Sequence, residues 1–368
     1  MYFFSYFDLL PWIFLLFIVL YLYKRNPNSN KSKKIFYIIW FFCSIRYGIG
    51  YDYFSYKEGC LGMWPDYSYE GIEPLARNLM LFCGKTLHYQ VFFIVTSFLC
   101  LYPVYKVSNK ASINPTIALV VYLLFPNLFL ESLSTIRNSV AFSLVLYSFY
   151  LYNFSKNKLA KYISFVFIVI AMGFHMSAIV GFLIYPLSHF CIGKKYNILF
   201  WISSFFIGAF ISSLLVQYLG GNVVQRLMAH MEKQATGGQS LTYAINLVAI
   251  INFIFWKKIS KENNDNQKLL TLVNVGICFW NMFLFIDSTL ALRISSFFTI
   301  FMTLLYANTR VKVKVLKQRL NTLMINYFAI LFIILMLFQV RGYLNQGIRM
   351  GMMPFQTIFY YKDYENYY

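Results

Sequence analysis

The chain has 368 residues, 59% of them hydrophobic and 12% charged, with a formal net charge of +19. Soluble domains carry about 25% charged residues, so an aqueous fold of this length has no way to hide so much apolar surface. The cations are not the footprint of a nucleic-acid binder either. The lysines sit in short loops between apolar runs, not along one groove.

The apolar runs follow one another at 5–23, 35–50, 90–106, 115–130, 136–154, 160–175, 177–190, 197–218, 240–256, 268–287, 289–306 and 321–340. Each is close to the roughly 20 residues that cross the hydrocarbon core of a bilayer. The expected fold is therefore an all-α integral membrane protein of about 12 transmembrane helices in one polytopic domain, 1–368. The first run lacks a basic n-region and a small-residue cleavage site, so it reads as a retained span. Residues 71–88 break the rhythm. Glu73-Pro74 reads as a helix start, because proline is tolerated in the first turn. Leu75, Leu79 and Phe82 fall on one face, with Arg77, Asn78 and Lys85 elsewhere, as in a short amphipathic helix at the membrane interface. Counting it as a span would invert every later loop. The connection 219–239 and the tail 341–368 complete the domain, and no internal repeat supports an inverted-repeat transporter.

Charge alternates from loop to loop. One set of loops holds 18 lysines and 3 arginines; the other set holds 4 lysines and 7 arginines. The positive-inside rule makes the lysine set cytoplasmic, which places both termini and the other set outside the membrane. Arginine's planar fork suits bidentate binding of phosphate or carboxylate, so the outer face is built to hold an anion, unless its acids simply pair with its arginines. Six scattered cysteines show no CxxC spacing, although Cys60 and Cys83 could pair. Four isolated histidines form no HxxxH pair, so no metal and no disulfide framework are expected.

Six outer groups could carry chemistry. In Arg46-Tyr-Gly-Ile-Gly-Tyr-Asp52-Tyr-Phe-Ser-Tyr56 an arginine stands near the end of the second span, where an ionisable group is costly. Gly48 and Gly50 let the backbone turn, and Asp52 follows among tyrosines suited to sugar stacking. In Ser134-Thr-Ile-Arg137-Asn138, Ser134 or Thr135 can cap a helix whose positive end repels Arg137. A bound anion resolves that conflict; so would Glu131, one turn away. His175, in Phe174-His175-Met176-Ser177, can accept a proton or be a packing residue. Asp287 can cap the late span that carries Arg293, or pair with it. Arg226, His230, Arg341 and Arg349 are scattered in extramembrane segments. Glu73 is an acid or base at the rim of a cavity, or an i,i+4 partner of Arg77.

Taken in order, these groups resemble the EpsG-like family of Wzy-type bacterial polysaccharide polymerases. The matching elements are Arg46 before Gly50-Tyr51-Asp52-Tyr53, then Tyr56, Glu73-Pro74-Leu75, Ile136-Arg137-Asn138 with Ala141, Phe174-His175 with Ser177, and Arg293, over roughly residues 35–300. Asn138 stands where the family usually has glutamine, and the tail from Arg341 has no match. The resemblance implies a fold like the multispan GT-C glycosyltransferases and an enzyme acting on undecaprenyl-diphosphate-linked oligosaccharides at the outer membrane face. It implies no cofactor, no nucleotide sugar and no nucleic acid. Its partners are the lipid-linked substrates, membrane lipids and a chain-length regulator. It implies Arg46, Arg137 and Arg293 as a diphosphate clamp, Asp52, Glu73 or His175 as the base, and Tyr53, Tyr56 and Asn138 as sugar contacts. A flippase would instead spread its charges over many depths of a central cavity. An O-antigen ligase would use the same arginines with a larger outer loop than 219–239.

Overall fold

The computed structural model describes residues 9–25, 29–190, 192–218, 238–313, 317–346 and 351–360. Helices α1 (Leu10–Arg25) and α2 (Ser32–Ser44) lead into a two-residue strand, β1 (Arg46–Tyr47). The short helices α3 (Tyr53–Cys60), α4 (Asp66–Glu70) and α5 (Pro74–Thr86) precede the long α6 (Tyr89–Ala111). Next come α7 (Pro115–Leu124), α8 (Pro126–Ser134), α9 (Ile136–Phe154), α10 (Lys158–Phe174), the 3₁₀ helix Met176–Leu183 and α11 (Ile184–His189). The chain continues through α12 (Lys194–Tyr218), α13 (Gly238–Glu262), α14 (Asn264–Leu284), α15 (Ser288–Thr299), α16 (Met302–Ala307) and α17 (Leu320–Gln346). Three further two-residue strands are β2 (Lys312–Val313), β3 (Gln318–Arg319) and β4 (Gln356–Thr357).

Among the described residues the twelve apolar runs fall largely on helices, but the run 35–50 leaves its helix at Ser44 and passes through β1. Among the described residues six helices are long and apolar enough to cross a membrane: Tyr89–Ala111, Lys194–Leu214, Leu241–Glu262, Asp265–Leu284, Ser288–Ala307 and Leu320–Gly342. The chain is a multi-pass membrane protein. The run 115–130 is not one straight element but the pair α7 and α8, bent by 64°. Pro126 explains the break: it has no N–H to donate and is accommodated at the first position of α8. Helix α7 is apolar all round and buried from Thr116 to Leu124, as a helix enclosed by others must be. Helices α1, α2, α6, α16 and α17 pack around it.

In lipid, apolar contact alone does not drive helices together; close approach of small residues and interhelical hydrogen bonds do. Asn246 and Asn281 exchange amide hydrogen bonds of 2.9 and 3.0 Å, joining α13 to α14. Trp201 Nε1 donates to Asn246 Oδ1 at 2.7 Å and brings in α12.

The segment 71–88 is the separate helix expected, but its buried face is Ala76, Met80 and Cys83. Leu75 and Phe82 point outward, 40% and 57% exposed. Helix α17 runs through Arg341, and residues 351–360 fold back so that β4 pairs antiparallel with β1, Arg46 opposite Thr357. Cys60 and Cys83 are both buried and free. Arg226, His230 and Arg349, with most of 219–239, lie outside the described residues.

Candidate functional site

The elements bearing the chemical groups share a polarity. Arg46 follows the C-terminal end of α2, whose first turn holds Lys33 and Lys34. Arg137 opens α9, and Lys156 follows that helix. His175 ends α10, which begins at Lys158. Arg46, Arg137 and His175 therefore lie at one end of these helices and the lysines that flank them at the other.

The loop after β1 is locked in place. Gly50 has φ +106°, and a Cβ there would lie 1.9 Å from the Leu133 carbonyl oxygen, so only glycine fits. Its N–H donates to the Gly351 carbonyl at 2.6 Å, and the Tyr51 N–H donates to Ser134 Oγ at 3.2 Å. Asp52 is thereby delivered to the junction of α8 and α9. It stands at the N-cap position of α3 without capping it. Burial raises the pKa of Asp52, opposed by the charges of Arg293 and Arg137. The net direction is upward.

Glu73 is the hub. It occupies the N-cap position of α5 but turns its carboxylate away from that helix and from Arg77. Arg137 Nη1 donates to its Oε2 in a short ion pair. His175 Nδ1 lies 2.8 Å from its Oε1, and the Met176 N–H donates to the same oxygen at 3.0 Å. Burial pushes the Glu73 carboxyl up, but the bonds from His175 and Met176 and the Arg137 charge outweigh it and bring the pKa down to about 2. An ionised carboxylate only accepts, so His175 Nδ1 carries the proton. In a neutral ring the Nε2 lone pair then faces Ser177 Oγ, 3.5 Å away.

Arg137 is held a second time, its Nε donating to Tyr56 Oη at 3.2 Å. Its helix start is uncapped. Thr135 Oγ1 donates to Glu131 Oε2 at 3.0 Å instead of capping, and Ser134 serves Tyr51. Glu131 is therefore not the partner of Arg137. Asp287 caps α15, accepting from the Leu290 N–H at 2.7 Å. Arg293 on that helix has a buried Nε with no hydrogen-bond partner among the described residues. Asn138 Nδ2 donates to the Arg293 carbonyl at 3.4 Å, which ties α9 to α15.

A model of the EpsG family matches residues 33–357. The chain belongs to the EpsG family. No curated protein and no solved structure matches it. Membership places it among membrane proteins of polysaccharide biosynthesis. The match takes in Arg46, Asp52, Glu73, Arg137, His175 and Arg293, and it continues into the segment that pairs with β1.

Some expected contacts take other places. Arg46 is 1% exposed, and its guanidinium lies over the Phe93 ring at 5.5 Å with no hydrogen-bond partner among the described residues. Tyr53 is fully buried, stacked on Phe93 at 4.2 Å, and its hydroxyl donates to Gln90 Oε1 at 3.0 Å. Tyr56 is 6% exposed and committed to Arg137, and Asn138 is 2% exposed. As placed, neither tyrosine shows a ring face to a sugar, and Asn138 is a strut between helices. The exposed ring beside Asp52 is Tyr51, at 62%; it is one more tyrosine in a tyrosine-rich run, so nothing in the sequence set it apart.

Proposed function

We propose that this protein is a polysaccharide polymerase working at the outer face of the bacterial cytoplasmic membrane. It would have about twelve spans in a GT-C-like bundle and both termini outside. The donor is a growing glycan on undecaprenyl diphosphate; the acceptor is the non-reducing end of a second lipid-linked repeat unit. The acceptor oxygen forms a bond to the anomeric carbon while the bond from that carbon to the phosphate oxygen breaks. The electron pair leaves with undecaprenyl diphosphate, and the hydroxyl proton goes to a base.

The observation that carries this reading is Asp52 standing, without a partner among the described residues, within the fields of Arg137 and Arg293 at the end of the bundle opposite the lysines of α2 and α10. The arginines stabilise charge as it develops on the leaving diphosphate, through charge-assisted bonds worth about 1.5–3 kcal/mol each. The open first turn of α9 adds N–H donors beside them. Arg46 acts from within the protein, as buried positive charge. Asp52 is the base: its pKa is raised, and its carboxylate has no partner among the described residues. Glu73 is unsuited to that task because it stays ionised under three donors; it holds Arg137 and His175 in position. Tyr51 offers the ring face for a sugar.

The test is purified protein with synthetic undecaprenyl-diphosphate-linked repeat units. A ladder of products supports the reading. Movement of units across vesicles without any ladder would make the protein a flippase. If Asp52→Asn keeps the wild-type turnover while His175→Gln abolishes it, the base is His175.

A further inference from the structure

The 3₁₀ helix Met176–Leu183 begins at the site and runs away from it for eight residues. Such helices rarely exceed three or four residues, and their side chains at i and i+3 eclipse. The period of three sorts this one into columns. Ala178, Gly181 and Ile184 make a buried column. A Cβ at Gly181 would meet Val145 Cγ2 at 2.8 Å, so the small residues let this helix lie close against α9, the helix that carries Arg137. Met176 and Ile179, 59% and 55% exposed, make the outward column, half-buried Phe182 continues it, and Leu183, 42% exposed, stands on the neighbouring column beside it. Leu75 lies over Gly173 and flanks the start of the column.

The outward column is apolar and continuous with the anion site. Its first residue, Met176, gives its N–H to Glu73, the carboxylate that holds Arg137. No charged side chain occurs from Met176 to Ser188. At about 2 Å per residue the helix is about 16 Å long, roughly half the thickness of a hydrocarbon core.

We propose that this outward column is the seat of the polyprenyl chain of the lipid-linked donor, whose diphosphate lies on Arg137 and Arg293. The identity of the headgroup rests on the polymerase reading; the seat itself does not. Charge complementarity at one end and an uncharged, membrane-facing track at the other fit a long isoprenoid diphosphate. Ordinary phospholipid would cover every outward face alike, and it would have no reason to favour the one that starts in the hydrogen-bond network of Glu73.

Two measurements test this. In the first, the full chain in phospholipid nanodiscs is exposed to undecaprenyl diphosphate carrying a photoreactive group in its chain, and the labelled peptides are mapped. Label should concentrate on Met176–Leu183 and Leu75, be competed by unlabelled undecaprenyl diphosphate but not by phosphatidylglycerol, and weaken in Arg137→Gln. Label spread equally over α12 and α17, or unaffected by competition, would overturn the proposal. In the second, polymerisation is compared on a long-chain donor and on one carrying two isoprene units. Met176→Ala with Ile179→Ala, which keeps the Met176 N–H, should raise KM for the long-chain donor about tenfold. It should leave kcat, and KM for the short donor, unchanged. An equal change on both donors would also overturn it. The labelling needs no turnover, so a protein that labels as expected yet makes no ladder loses the polymerase reading and keeps the lipid seat.

Discussion

Replacing Glu73 with Gln keeps the shape of the side chain and removes its charge. Three donors lose their anionic acceptor: Arg137 Nη1, His175 Nδ1 and the Met176 N–H. The Glu73 pKa falls from the ordinary 4.5 to about 2, a gap that corresponds to about 3 kcal/mol at 1.36 kcal/mol per pH unit. The Glu73 side chain is 14% exposed and that of Arg137 26%, so solvent screening reduces this to about 2 kcal/mol. The sign follows from the depressed pKa: the contribution is complete above the unfolded value and is lost as pH falls from about 4.5 through about 2. Glu73→Gln should therefore unfold a few degrees below wild type at pH 7 when detergent-solubilised protein is heated. The gap should narrow to less than half as the buffer is taken down to pH 3. Polymerisation by Glu73→Gln should fall sharply at every pH, because both Arg137 and His175 lose their anchor. Equal melting temperatures at pH 7, or a gap of constant size from pH 7 to pH 3, would refute the hub role of Glu73.

Arg137→Lys and Arg293→Lys should each polymerise far more slowly than wild type with insertion and expression unchanged, because lysine lacks the fork that takes two phosphate oxygens; wild-type rates in both would end the clamp. Gly50→Ala puts a Cβ into the Leu133 carbonyl at a φ of +106° and should cost about 1–3 kcal/mol, read as a lower melting temperature with reduced activity. Single cysteines at Lys158 and Lys261 should resist a membrane-impermeant thiol reagent applied from outside; labelling of both would invert the topology. Activity should survive EDTA, since no Asp-x-Asp pair or histidine cluster occurs in the chain; loss on chelation with rescue by magnesium or manganese would reveal a metal site.

Much of the fold was legible in the chain because a bilayer imposes one dominant rule. Backbone polar groups must be satisfied within each crossing segment, so long apolar runs become helices wherever they occur. Among the described residues the runs did so over most of their length, the end of 35–50 excepted. The exceptions come from local chemistry that hydropathy ignores. The bend at Pro126 interrupts a run that stays uniformly apolar through Leu124 and Phe125, so only the missing N–H marks it. The side of α5 that packs on the protein escaped the hydropathy pattern for a related reason. Leu75 and Phe82 are large and apolar, but Ala76, Met80 and Cys83 are the residues small or pliable enough to pack beneath the helix, and in a membrane the larger apolar side chains lose little by pointing outward. The return of residues 351–360 to β1 depends on backbone pairing across more than 300 positions of sequence, which no periodicity announces.

The site divides along the same line. Expense can be read from a sequence: Arg46, Arg137, His175 and Arg293 were singled out because ionisable groups near the membrane need a reason to be there. Partnership is harder to read. Glu131 was the nearest acid to Arg137 along the chain and Arg77 the nearest cation to Glu73, yet neither pair forms. The bend at Pro126 changes the direction in which α8 delivers Glu131, and its carboxylate takes the Thr135 hydroxyl. Arg137 is left to Glu73, 64 residues earlier. Glu73 in turn faces the bundle because Pro74 starts α5 at that point and frees the preceding side chain from the helix. Tyr53 and Tyr56 show the converse. Their aromatic character suggested sugar stacking, but period and packing place them inward, where Tyr53 stacks on Phe93 and Tyr56 becomes the second acceptor of Arg137. A tyrosine beside a half-buried guanidinium does more as a hydrogen-bond acceptor than as a platform, because leaving that Nε unpaired would cost about 1 kcal/mol or more.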